Sequence, residues 1–87
     1  MAPEVSKFID RIENYKIVRK YDEISEYEII FNWYKKRISE CYAFMKYLTS
    51  RKDYWSLRDD YKKVEKFTRK IENEFLQWKE NHVSETN

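Results

Sequence analysis

The sequence predicts an all-α protein of three helices. The second and third form a long antiparallel hairpin with a coiled-coil-like seam, and a shorter N-terminal helix packs along it. Three observations point there. Apolar residues recur in alternating steps of four and three over two long stretches, the spacing of helices packed lengthwise. There is no Gly and a single Pro, Pro3, so the chain lacks the usual residue for positive φ in hairpin turns and Gly-built phosphate loops. The charged content is 39%, in a mix rich in Glu, Lys, Ile and Tyr. At 87 residues the chain is read as one helical domain, 1–87, in which each core position matters because small domains bury a modest fraction of their surface.

The first helix is expected over about residues 3–20. Pro3 suits a first turn, where its missing N–H leaves nothing unpaired. Val5, Phe8, Ile12 and Tyr15 form one row, with Ile9 beside it. The chain then breaks at "KYDEIS", where Asp22 or Ser25 can cap the next helix. Ser25 and Glu28 stand at capping-box spacing.

The second helix is expected over about 25–48. Its seam is Tyr27, Phe31, Tyr34, Ile38, Cys41, Met45 and Leu48. Placing residues at ~100° intervals reveals a second apolar group, Ile29, Trp33, Phe44 and Tyr47, with Ile30 between the two. The polar sector is narrow: Glu28, Asn32, Lys35, Ser39 and Lys46. A helix apolar over more than half its circumference is buried on more than one side. It should therefore lie centrally or in an interface.

"LTSRKD" marks the next break, with Ser50 and Asp53 again at capping-box spacing. The third helix is expected over about 51–81, with a seam of Tyr54, Leu57, Tyr61, Val64, Thr68, Ile71, Phe75 and Trp78 and with Phe67 beside it. The ending "HVSETN" lacks periodicity and is expected to fray over 82–87. At ~1.5 Å per residue the three helices would measure roughly 27, 36 and 46 Å. The longest should overhang, bend or meet another chain.

The net charge of +2 hides a polarity. Residues 51–70 carry eight basic and four acidic groups, hence +4, and residues 71–87 carry one and four, hence −3. This order opposes the helix dipole. Arg58, Lys62, Lys66 and Arg69 form a basic row away from the seam, and Trp55 projects toward it. The row is either a solvated face or a strip for an acidic partner. Lys35-Lys36-Arg37 and Arg19-Lys20 would widen such a strip if they shared its side.

Catalysis is not expected. The lone His82 falls in the frayed tail, and one His with one Cys supplies neither a zinc cluster nor a paired Glu-x-x-His di-metal site. Cys41, in a seam, reads as a buried inert thiol. The pairs Asp22/Glu26, Asp59/Asp60 and Glu72/Glu74 lie in Lys-rich surroundings with no sign of the desolvation that acid–base work requires. No metal, cofactor or small-molecule substrate is implied. No run approaches signal-peptide or membrane-span length, so a soluble, cytoplasmic protein is expected.

What remains is a non-enzymatic protein–protein interaction module, a small helical adaptor or regulator. It would bind a larger protein or its own copy through apolar surface on the second helix and the overhanging third. The residues expected to serve are Ile29, Trp33, Phe44 and Tyr47 as apolar anchors, and Trp55 with Arg58, Lys62, Lys66 and Arg69 for orientation. A homodimer would set the basic half of one third helix against the acidic half of another. A phage or viral modulator of a host complex is one form such a module takes. The alternative is a nucleic-acid-binding protein using the basic row, against which stand the near-neutral charge and the interleaved acids.

Overall fold

The structure is a computed structural model that describes residues 2–17 and 25–86, with side chains as far as His82. Among these residues lie three α-helices, α1 (Pro3–Glu13), α2 (Glu26–Ser50) and α3 (Arg58–Thr86), and a 3₁₀ turn, Tyr54–Leu57. The molecule is elongated, 48 × 26 × 18 Å. α2 and α3 form the antiparallel hairpin. α1 runs antiparallel to α2: its first turn meets Tyr47 and Arg51 and its last meets Arg37.

The core lies at the closed end of the hairpin, where the two helices connect. Val5, Phe8 and Ile12 of α1 are buried there against Cys41, Met45, Leu48, Leu57, Val64, Phe67 and Ile71. Each fully buried aliphatic or aromatic side chain of this kind contributes ~1.5–3 kcal/mol. All but Phe67, which lies beside a seam, are row or seam positions of the sequence, whereas the seam positions toward the other end of the hairpin, such as Tyr27, Phe31 and Phe75, are not buried. Thr68, in the seam of α3, is buried because its hydroxyl donates to the Val64 carbonyl at 2.7 Å within its own helix.

α1 is shorter than the spacing suggests. It stops at Glu13, not near residue 20, and residues 15–17 are non-helical; 18–20 lie outside the described residues. Asn14 ends it. Its side-chain amide donates to the Asp10 carbonyl at 2.8 Å, as does its own backbone N–H at 3.0 Å. The Ile12 carbonyl takes the Tyr15 N–H at 3.2 Å and the Nε–H of Arg37 at 3.2 Å. The last carbonyls thus find partners without a further helical turn.

α2 begins where expected: Ser25 is its N-cap, and the hydroxyl accepts the Glu28 N–H at 3.2 Å. The Asp22 option lies outside the described residues. The second connection differs from its expectation. The Ser50 hydroxyl donates back to the Tyr47 carbonyl at 2.7 Å, closing α2, and caps nothing beyond it. Asp53 pairs with Arg51 at 2.8 Å. The chain reverses through the 3₁₀ turn, so α3 starts at Arg58 and not near 51. No described residue has positive φ. The reversal therefore needs no Gly.

α3 continues in helical geometry to Thr86, past the point where the sequence suggested fraying, and His82 is half-buried. Its ring lies tilted against Trp78 with centroids 4.6 Å apart, and its Nδ1 lies 2.8 Å from the Trp78 carbonyl. Tyr27, in the first turn of α2, meets Trp78 at 4.8 Å and His82 at 6.0 Å. The two long helices therefore run side by side almost to their ends. The 3₁₀ turn shortens the third helix at its start, yet α3 gains length at its end and, at 29 residues, still exceeds the 25 of α2.

Candidate interaction surfaces

The second apolar stripe of α2 exists, and α1 takes up much of it. The Phe44 ring stacks on Phe8 at 4.1 Å with an interplanar angle of 11°. The Trp33 indole N–H donates to the Tyr15 carbonyl at 2.8 Å, and the Arg37 guanidinium lies 4.1 Å over the Trp33 ring. Phe44, Trp33 and Ile29 are half-buried. Tyr47 is 46% exposed, with its hydroxyl donating to Glu4 at 3.3 Å. Arg51 clamps the same Glu4 carboxylate. This stripe is chiefly the seat of the first helix.

The triplet Lys35-Lys36-Arg37 does not widen a single patch. Arg37 is buried under α1, where it caps the Ile12 carbonyl. Lys36 lies over the Tyr15 ring at 5.1 Å, and a hydrogen bond with that hydroxyl holds its pKa above the ordinary value. Lys35 lies on the other side, 5.5 Å over Phe31. One strand of sequence thus feeds three directions, as ~100° per residue dictates. Arg19 and Lys20 lie outside the described residues.

Among the described residues, two surfaces remain uncovered. The first is the closed tip. Trp55 is 76% exposed and touches the Arg58 guanidinium at 5.5 Å and Tyr54 at 5.9 Å. Arg58, Lys62, Lys66 and Arg69 are all exposed, and Arg69 has Glu65 at 3.8 Å one turn away. The row expected from sequence is present as a row.

The second surface is the groove between α2 and α3 on the face away from α1. Tyr42 and Phe44 are two positions apart, ~200° of helix, so Phe44 faces α1 and Tyr42 faces this groove. Two depressions, about 380 and 410 Å³, lie along it, and Glu72 lines both. Tyr42 is 51% exposed and donates to the Glu72 carboxylate at 3.0 Å, which raises the tyrosine pKa above its ordinary value. Leu76 is 52% exposed, beside half-buried Ile38 and Phe75.

Tyr42 and Leu76 were not singled out in the sequence because neither belongs to a seam. A signal was there. Tyr42 falls in the polar sector of Lys35, Ser39 and Lys46, and Leu76 continues the sector of Arg58, Lys62 and Arg69. A large apolar residue in an otherwise polar sector is the sequence mark of a wet-face contact.

Of the carboxylate pairs, Asp22/Glu26 falls partly outside the described residues, and the members of the other two separate. Asp60 turns inward and accepts the Ala2 N–H at 3.0 Å, tying the start of α1 to α3, while Asp59 is exposed. Cys41 is fully buried, and burial pushes its thiol above the ordinary value of 9.0. Among the described residues there is no grouping of three or more His, Cys, Asp or Glu able to hold a metal. No described helix is long and apolar enough to cross a membrane. No protein-family model, curated protein or solved structure matches the chain.

Proposed function

We propose that this chain is a non-enzymatic protein–protein interaction module that engages its partner through the parts of the hairpin that α1 leaves bare. The observation that carries the reading is the asymmetry of the hairpin: one face is covered by α1, and the other holds Tyr42 and Leu76 half-exposed over an apolar floor. Trp55 with Arg58 at the tip is a second anchor of the type enriched in binding hot spots. Of the residues expected from sequence, Trp55, Arg58, Lys62, Lys66 and Arg69 keep their proposed role. Phe44 and Tyr47 act first as the bed of α1, Trp33 is held by the Tyr15 carbonyl just past it, and half-buried Ile29 keeps its proposed role as an anchor.

The test combines sedimentation equilibrium over a range of concentrations with co-purification from a native source. The exposed-site variants Leu76→Glu and Trp55→Ala serve as controls, since neither side chain is in the core. Self-association, or a retained protein that one variant releases, supports the reading. A chain that stays monomeric and retains nothing that either variant loses overturns it.

The rival reading, nucleic-acid binding, draws on the exposure of all four row cations next to an exposed Trp, a combination suited to phosphate contact and base stacking. It predicts an affinity for DNA or RNA that falls steeply between low and physiological salt and drops further in the double variant Lys62→Glu, Lys66→Glu. Absence of binding at low salt removes it.

A further inference from the structure

We propose that the groove between α2 and α3 opposite α1 is the docking site for an acidic amphipathic helix supplied by another protein. This inference rests on the reading of the chain as an interaction module and names the chemistry of its partner.

The shape suits a helix. From Lys35 to Thr49, the α2 residues that line the two depressions span ~21 Å, four turns of a partner helix. The apolar floor is formed by Ile38 and Phe75, one from each long helix, and the half-exposed Tyr42 and Leu76 stand over it. The molecule already contains one solution of the same packing problem. On the opposite face α1 lays an apolar row, Val5, Phe8 and Ile12, onto the same hairpin and buries it fully or nearly so. A helix in the open groove would complete the other side in the helix-in-groove manner, with anchors at i, i+3 or i+4, and i+7.

The charge identifies the partner. The rim carries Lys35 and Lys46 on α2 and Arg69 and Lys79 on α3. Two carboxylates share it, Glu65 beside Arg69 at 3.8 Å and Glu72 accepting from the neutral Tyr42 hydroxyl at 3.0 Å, so four cations against two anions leave the rim cationic. Lys79 rests over Phe75 at 4.4 Å and Lys35 over Phe31 at 5.5 Å, so both ammonium groups border the apolar floor. Arg58, Lys62 and Lys66 extend the positive flank toward the tip. Glu or Asp on both edges of an incoming helix would meet cations on both sides. A second copy of this chain would set one cationic rim against another. Glu74, which could have relieved that repulsion, stands near Tyr34, where its charge helps to raise the tyrosine pKa. Complementarity therefore favours a foreign acidic helix over self-pairing.

The experiment is a display selection on the full chain with a library of helical peptides of roughly 16 residues, apolar at the anchor positions and randomised on both flanks. Enrichment of Asp and Glu on the flanks is expected. Selected peptides should lose at least about tenfold in affinity on Leu76→Glu, where tenfold equals 1.4 kcal/mol, and lose none on Trp55→Ala. The pair Lys35→Glu, Lys79→Glu should invert the flank preference. Circular dichroism checks that the variants keep their helix content. Neutral or basic enrichment, no enrichment, or binding indifferent to Leu76→Glu overturns the proposal. Should the chain dimerise through an interface that Leu76→Glu breaks, the acidic-helix proposal falls while the interaction-module reading stands. Peptides lost only on Trp55→Ala would place the partner at the tip, with the same consequence.

Discussion

The two ends of the hairpin solve the same packing problem with different side chains. At the closed end three helices meet, and the seam residues are mainly aliphatic and buried: Val5, Ile12, Leu48, Val64 and Ile71. At the open end α1 is absent, and the seam is a ladder of rings. Tyr27, Phe31, Tyr34, Phe75, Trp78 and His82 are linked by centroid distances of 4.6 to 6.2 Å, and none of them is fully buried. A third helix supplies a wall that closes around small branched side chains. Two helices alone cannot enclose anything, so broad rings that stack on one another cover the seam themselves. The burial of a residue in this protein thus depends less on its seam position than on whether α1 reaches it.

The largest effect expected from this contrast is at the closed end. Leu48→Ala should cost ~2–5 kcal/mol in urea unfolding, because a fully enclosed leucine leaves a cavity. Tyr27→Ala, at the exposed margin of the open end, should cost clearly less. Equal costs would show that α1 does not define the core. The next largest is at the joint between α1 and the hairpin. Arg37→Ala should cost ~1–3 kcal/mol by leaving the Ile12 carbonyl without its charged donor. Arg37→Lys should restore little, since an ammonium cannot reproduce the flat contact with Trp33. Full rescue by Lys would show that charge alone matters there.

Hydrogen exchange sharpens the same comparison without a substitution. Amides of α2 around Cys41–Leu48 and of α3 around Val64–Ile71 should be the best protected, and those of the ring ladder should open first. The smallest effects concern titration. Burial raises the pKa of Cys41 above 9.0 and that of Tyr34 above 10.0, and the bond to Glu72 raises that of Tyr42 above 10.0. Each group holds its proton more tightly folded than unfolded. Their contribution to stability is therefore complete below pH 9 and is lost as pH rises through the raised values. Alkaline unfolding should begin in that range. At pH 8 a thiol reagent should modify Cys41 far more slowly than the same residue in urea, and rapid modification of the native chain would contradict its burial.

Much of the fold was legible because helix periodicity is local. The seams of Cys41–Met45–Leu48 and Leu57–Val64–Ile71 follow from ~3.6 residues per turn, and the Ser25 cap follows from a hydroxyl three residues before Glu28. The end of α1 was not legible. Asn14 bonds back to the Asp10 carbonyl, but the Ile12 carbonyl near the helix end is taken by an arginine 25 positions away, which no local spacing reveals. Nor was the open groove. The sequence showed that α2 has two apolar sides and offered the second, Trp33 and Phe44, as the free one. The structure assigns that side to α1 and leaves Tyr42, a residue of the polar sector, facing the gap.

By itself the sequence determined the helices, their pairing faces and the polarity of charge along the third, because each is set by neighbours within a turn or two. The tertiary structure decided which apolar side of α2 is spent within the chain, which of three adjacent cations is buried, and where a long chain reverses without glycine. Those outcomes depend on where an eleven-residue helix comes to rest on a hairpin more than twice its length, and no spacing along the chain encodes that position.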